Sequence, residues 1–66
     1  MSTLEQKKFV IAMLKDDTWY FYKEGNWVED VNKANLFNKE TALPLCEELF
    51  KSNPNVVVFS SKLFGI

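Results

Sequence analysis

The chain reads as strand, strand, strand, helix, strand. This predicts an α+β fold with a four-stranded mixed sheet and one helix packed on one of its faces. Three observations carry that prediction. Residues 18–28 (TWYFYKEGNWV) hold five of the ten aromatic residues around a glycine, the pattern of an aromatic hairpin. Ala42, Leu45, Cys46, Leu49 and Phe50 recur at helical spacing. Val56, Val57, Val58 and Phe59 form a run without polar alternation, which suits a strand covered on both sides.

Taken in order, residues 1–7 develop no apolar face and are expected to be a flexible N-terminus of a single domain, 1–66. Residues 9–15 (FVIAMLK) are a continuous apolar run and make the first strand. Asp16 and Asp17 form a polar turn, since Asp side chains bond their own backbone. A two-residue loop there pairs Leu14 with Trp19, Ala12 with Phe21 and Ile11 with Tyr22. Val10, Ala12, Leu14, Trp19 and Phe21 then share one face; Phe9, Ile11, Met13, Tyr20 and Tyr22 share the other, because strand side chains alternate. Gly25-Asn26 is expected to turn the second hairpin, putting Val28 on the Phe21 face and Trp27 on the Tyr20 face.

Asp30 is placed to cap one short turn, with Ala34 and Phe37 tucked inward. Asn38 or Thr41 caps the helix, whose body is residues 42–51. Its inward stripe includes Phe50, and Glu47, Glu48 and Lys51 face out. A helix starting at Lys39 leaves the Glu40 carbonyl without a donor at Pro44; one capped by Thr41 keeps Pro44 in the tolerated first turn. Asn53-Pro54 stops the helix. The last strand, residues 55–60, is expected to return parallel to the first by a right-handed crossover, for a sheet order of 3-2-1-4. The tail ends in Leu63, Phe64 and Ile66, too apolar to be left unpacked.

Composition narrows the function. With no histidine, the usual general base near neutral pH is missing, and no Gly-rich phosphate loop exists. The single cysteine, Cys46, lies on the helical stripe and reads as core. Asp16-Asp17 and Glu47-Glu48 read as a turn and a solvated face. The chain is therefore expected not to be an enzyme, with no catalytic, cofactor-binding or metal-ligating residues and no cofactor. Its net charge is −1 and all eight basic residues are lysines, so nothing steers it toward nucleic acid. No segment approaches the roughly 20 apolar residues of a membrane span, and a lone thiol fits the reducing cytoplasm.

What remains is apolar surface. One helix covers one sheet face, and a small domain without staples gains from an oligomeric interface. The expected interface is Phe9, Ile11, Met13, Tyr20, Tyr22 and Trp27, with Leu63 and Phe64 near its rim, serving a homodimer or a protein partner. If the helix takes that face instead, the surface becomes Val10, Ala12, Leu14, Trp19, Phe21 and Val28. A third arrangement has the C-terminal tail folded over the open face. The rival function is a single-strand nucleic-acid binder that stacks bases on Tyr20, Tyr22 and Trp27.

Gly25, Trp27, Asp30, Ala34, Phe37 and Ala42 together form a pattern that resembles small bacteriophage-encoded proteins of unknown function. In those, a hairpin ending in Gly-x-Trp precedes an Asp, an Ala-x-x-Phe and an Ala-bearing helix. The resemblance covers roughly residues 9–50, with Pro44 as a departure. It implies an intracellular accessory protein that binds a host protein, and it supplies no catalytic residues.

Overall fold

A computed structural model describes residues 8–66; the flexible terminus expected over residues 1–7 lies outside them. Two tight turns set the sheet. Strand β1 (Phe9–Lys15) turns through Asp16 and Asp17 into β2 (Thr18–Lys23), and β2 turns through Glu24 and Gly25 into β3 (Asn26–Val28). Both central residues of each turn have positive φ: 52° and 65° for the two aspartates, 47° and 88° for Glu24 and Gly25. That is the type I′ geometry, whose twist matches the strands it joins. The second turn is therefore Glu24-Gly25 and not Gly25-Asn26; Asn26 is the first residue of β3, paired with Lys23. Glycine takes the second turn position, and Glu24 takes a left-handed conformation at the first.

The first hairpin pairs Leu14 with Trp19 and Ala12 with Phe21, and the second pairs Phe21 with Val28 and Tyr22 with Trp27. The β1–β2 register ends at Ala12, one pair short of Ile11–Tyr22. Beyond it the strands part, and residues 35–37 fill the gap. Phe9 and Phe37 exchange backbone hydrogen bonds of 3.0 and 2.8 Å, and the Asn35 N–H donates to the Tyr22 carbonyl at 3.0 Å. The Asn35 side-chain oxygen accepts from the Glu24 N–H at 2.7 Å, tying the same segment to the second turn.

This segment decides the direction of the last strand. β3 ends beside Phe21, and residues 29–38 carry the chain back to the end of the sheet where β1 begins. They pass through a 3-10 turn, Val31–Lys33, capped by the Asp30 carboxylate, which accepts from the Asn32 N–H at 2.9 Å. Helix α1 (Lys39–Phe50) then crosses the sheet to its far end, and β4 (Val56–Ser60) comes back antiparallel to β1. The order 3-2-1-4 holds, and the sheet is antiparallel throughout, not mixed. The parallel return fails because residues 29–38 already make the trip that the helix was expected to make.

Asn38 caps α1, its side-chain oxygen accepting from the Thr41 N–H at 2.8 Å. Pro44 is thus inside the helix, where it lacks the N–H that the Glu40 carbonyl would otherwise take. Ala42 is buried and Leu45, Cys46 and Leu49 pack on the sheet. Phe50 does not join them: at 52% exposed it lies on the outer flank, as does Leu43 at 52%.

Each sheet face has its own core. Under the helix lie Ile11, Met13 and Val56, flanked by Tyr20, Tyr22, Trp27, Phe37 and Val58. On the opposite face lie Val10, Ala12 and Phe21, covered by Val31, Ala34 and Leu36 from the connecting segment and by Phe64 from the tail.

Candidate functional site

The residues expected to form an interface are all on the helix-covered face. Ile11 is fully buried and Met13 is buried. Phe9 is half-buried and bridged to Phe37. Tyr20, Tyr22 and Trp27 are half-buried, with Tyr22 edge-on to Trp27 at 5.6 Å and tilted against Phe37 at 6.1 Å. The arrangement with the helix on the Tyr20 side is the one adopted, and the face left without a helix is that of Val10, Ala12, Leu14, Trp19, Phe21 and Val28. Even there, Val10, Ala12 and Phe21 are buried and Leu14 and Val28 half-buried; Trp19 alone of the six is exposed, at 40%.

The tail accounts for this. The Ser60 hydroxyl accepts from the Lys62 N–H at 3.3 Å and starts a 3-10 turn, Ser61–Phe64. Gly65 closes it at φ 74°, a left-handed position that suits glycine. The turn drops Phe64 onto Phe21 and Phe59, edge-on at 5.4 and 5.8 Å. Trp19 meets the other side of Phe59 at 5.2 Å. Four rings and Leu63 then line an apolar pocket of about 260 Å³. Leu63 stands at its rim, 69% exposed. The tail was expected to pack; Phe59 as the hub of the ring cluster was not foreseen. The signal was present, because the alternation from Val56 puts Phe59 on the Val10 face.

A second apolar surface runs along α1. Leu43, Pro44, Cys46, Glu47 and Phe50 line a shallow groove on the helix flank. Cys46 sits at its inner edge, with Sγ 4.0 Å from the Val56 carbonyl. Burial, and then the neighbouring Glu47 carboxylate, raise the Cys46 thiol above its usual value of 9.0. The thiol is therefore protonated at neutral pH, and the thiolate is the nucleophilic form.

Among the described residues, no three of His, Cys, Asp and Glu come together as a metal site, and no helix is long and apolar enough to cross a membrane. Comparison with protein-family models, curated proteins and solved structures finds no match for the chain.

Proposed function

We propose that this protein is a small, non-enzymatic protein-binding module of the cytoplasm, and that it binds through the aromatic pocket on the sheet face opposite the helix. The observation that supports this most is the pairing of a rigid ring cluster with a projecting Leu63. Phe59 is held edge-on to both Trp19 and Phe64, and large apolar side chains are the anchors of interface cores. The fitting partner is a protein that inserts an apolar side chain between Trp19 and Leu63. The resemblance to small bacteriophage proteins points the same way, to a host protein.

Base stacking has less support. Tyr20, Tyr22 and Trp27 lie against the helix side of the sheet and leave no open row of rings. A catalytic role finds no histidine and a protonated Cys46. The test is affinity capture from lysate of the native organism, comparing the parent with Leu63→Glu and with Lys33→Glu as a surface control. A discrete protein retained by the parent and the control and lost with Leu63→Glu supports the reading. Identical capture by all three refutes it, and salt-sensitive micromolar binding to labelled oligonucleotides would favour the nucleic-acid rival.

A further inference from the structure

The sheet has two edges, and they differ. β3 is three residues long and is followed by Glu29 and Asp30, a short and charged edge that discourages pairing. β4 is five residues long, and no charged residue occurs from Asn55 through Ser61. The backbone alternation of β4 is set at its ends. The Leu14 N–H donates to the Asn55 carbonyl at 3.4 Å, and the Ser61 N–H to the Lys8 carbonyl at 2.6 Å. Residues 55, 57, 59 and 61 therefore turn their backbone groups toward β1, and residues 56, 58 and 60 turn theirs away. Among the described residues, no strand lies beyond β4 to receive them, although the Val56 N–H turns back on its own chain and donates to the Asn53 carbonyl at 3.1 Å.

The apolar flank of α1 lies on the same side of the molecule. The Cys46 thiol reaches the outward carbonyl of Val56, so the flank carrying Cys46, Leu43 and Phe50 borders the open edge. An uncharged strand edge and an exposed apolar helix stripe thus form one continuous surface.

We propose that this surface pairs with a second copy of itself, β4 against β4, to make one eight-stranded antiparallel sheet with the two α1 helices side by side across the seam. The proposal does not rest on the aromatic pocket, although Phe59, which lines that pocket on the opposite face of the sheet, also lies at the seam. The edge is self-complementary about Val58. Val58 exchanges both backbone bonds with Val58 of the second copy, and each Ser60 N–H reaches the other copy's Val56 carbonyl. Val57 and Phe59 then oppose each other across the seam, twice, as close non-hydrogen-bonded neighbours.

The helices fit the same axis. α1 runs antiparallel to β4 with Cys46 opposite Val56. Two strand residues, about 6.6 Å, equal about four helical residues, so buried Ala42 lies level with the axis and Leu43, one residue on, is the adjacent exposed apolar side chain. Lys39, Leu43 and Glu47 share one stripe at i,i+4 spacing. An antiparallel helix pair about that level brings the two Leu43 side chains near the seam and sets each Glu47 within two residues, about 3 Å along the axis, of Lys39 of the other copy, an offset that long side chains of opposite charge span.

Sedimentation velocity across the micromolar range, combined with residue-resolved amide exchange, tests the proposal. The variants are Leu43→Glu and Phe50→Glu, both at exposed positions, checked for folding by circular dichroism. A parent dimer is expected, weakened at least about tenfold by a folded Leu43→Glu or Phe50→Glu. The Val58 and Ser60 amides are expected to be protected in the parent and to exchange quickly in the monomeric variant, while Val57 and Phe59 stay protected in both. A parent that remains monomeric at high micromolar concentration overturns the proposal. So does a dimer whose Val58 amide exchanges freely, or one that persists in both folded variants.

Discussion

The two faces of this sheet are built from the same strands, yet they are covered by different means. One receives a single twelve-residue helix that buries Ile11, Met13 and Val56 as one cooperative block. The other is roofed in pieces, by Val31, Ala34 and Leu36 from the connecting segment and by Phe64 from a four-residue turn at the chain end. A helix presents a stripe of side chains that stand or fall together. A patchwork leaves seams, and the seam between Trp19 and the tail is the pocket. Open apolar surface in so small a protein arises where covering is incomplete, not where apolar residues are most numerous.

The sharpest way to break that contrast is inside the helix-covered core. Ile11→Ala is expected to cost about 2–5 kcal/mol, enough to unfold much of the population of a marginal domain; urea titration by circular dichroism measures it. Phe64→Ala removes the tail's anchor. Because Phe64 is only half-buried, the expected loss is smaller, about 2 kcal/mol from its share of burial and two ring contacts. The diagnostic is structural: the Trp19 fluorescence maximum should shift red while the helical signal stays. An equal cost for both variants would mean that the two roofs are equally cooperative.

A gain is expected at the first turn. Asp17 holds φ 65°, and Asp17→Gly supplies the Asp-Gly pair that type I′ turns favour. The expected stabilisation is about 0.5–1 kcal/mol, the relief of left-handed strain less glycine's added chain entropy, read as a higher urea midpoint with unchanged slope. The smallest effect concerns Cys46. Its raised thiol predicts slow alkylation by iodoacetamide at neutral pH, with a rate that rises with pH and levels off only above the ordinary thiol value of 9.0. The folded value is the higher one, so the protonated thiol supports the fold fully below the unfolded value. That support is lost as pH rises through the folded value. Brisk alkylation at pH 7 without unfolding would show Cys46 to be more open than its packing implies.

The elements that local chemistry controls were legible in the sequence. The two-residue loop at Asp16-Asp17 forces the hairpin register, and with it the division of Trp19, Phe21 and Val28 from Tyr20, Tyr22 and Trp27. The helical stripe was legible through Leu49 and failed at Phe50, whose position is set by where α1 ends relative to β4. The direction of β4 was not legible, because residues 29–38 have no periodicity and their path depends on a distant partner, Phe9. The face taken by the helix was undecidable from pattern alone, since both faces are apolar; that choice moved the expected interface from Tyr22 to Trp19, Phe59 and Leu63.

The placement of residues 35–37 between the parted ends of β1 and β2 also has a kinetic consequence. The Asp16-Asp17 hairpin closes locally, on a timescale of about microseconds. Phe37 docks on Phe9 only after the chain has travelled through β3 and the 3-10 turn, so the hairpin must form with its base still open. Chevron analysis should then separate the two events. Asp17→Gly should mainly quicken refolding, because the turn belongs to the early nucleus, and Phe37→Ala should mainly quicken unfolding. The open base works as a latch that shuts only after the hairpin has formed.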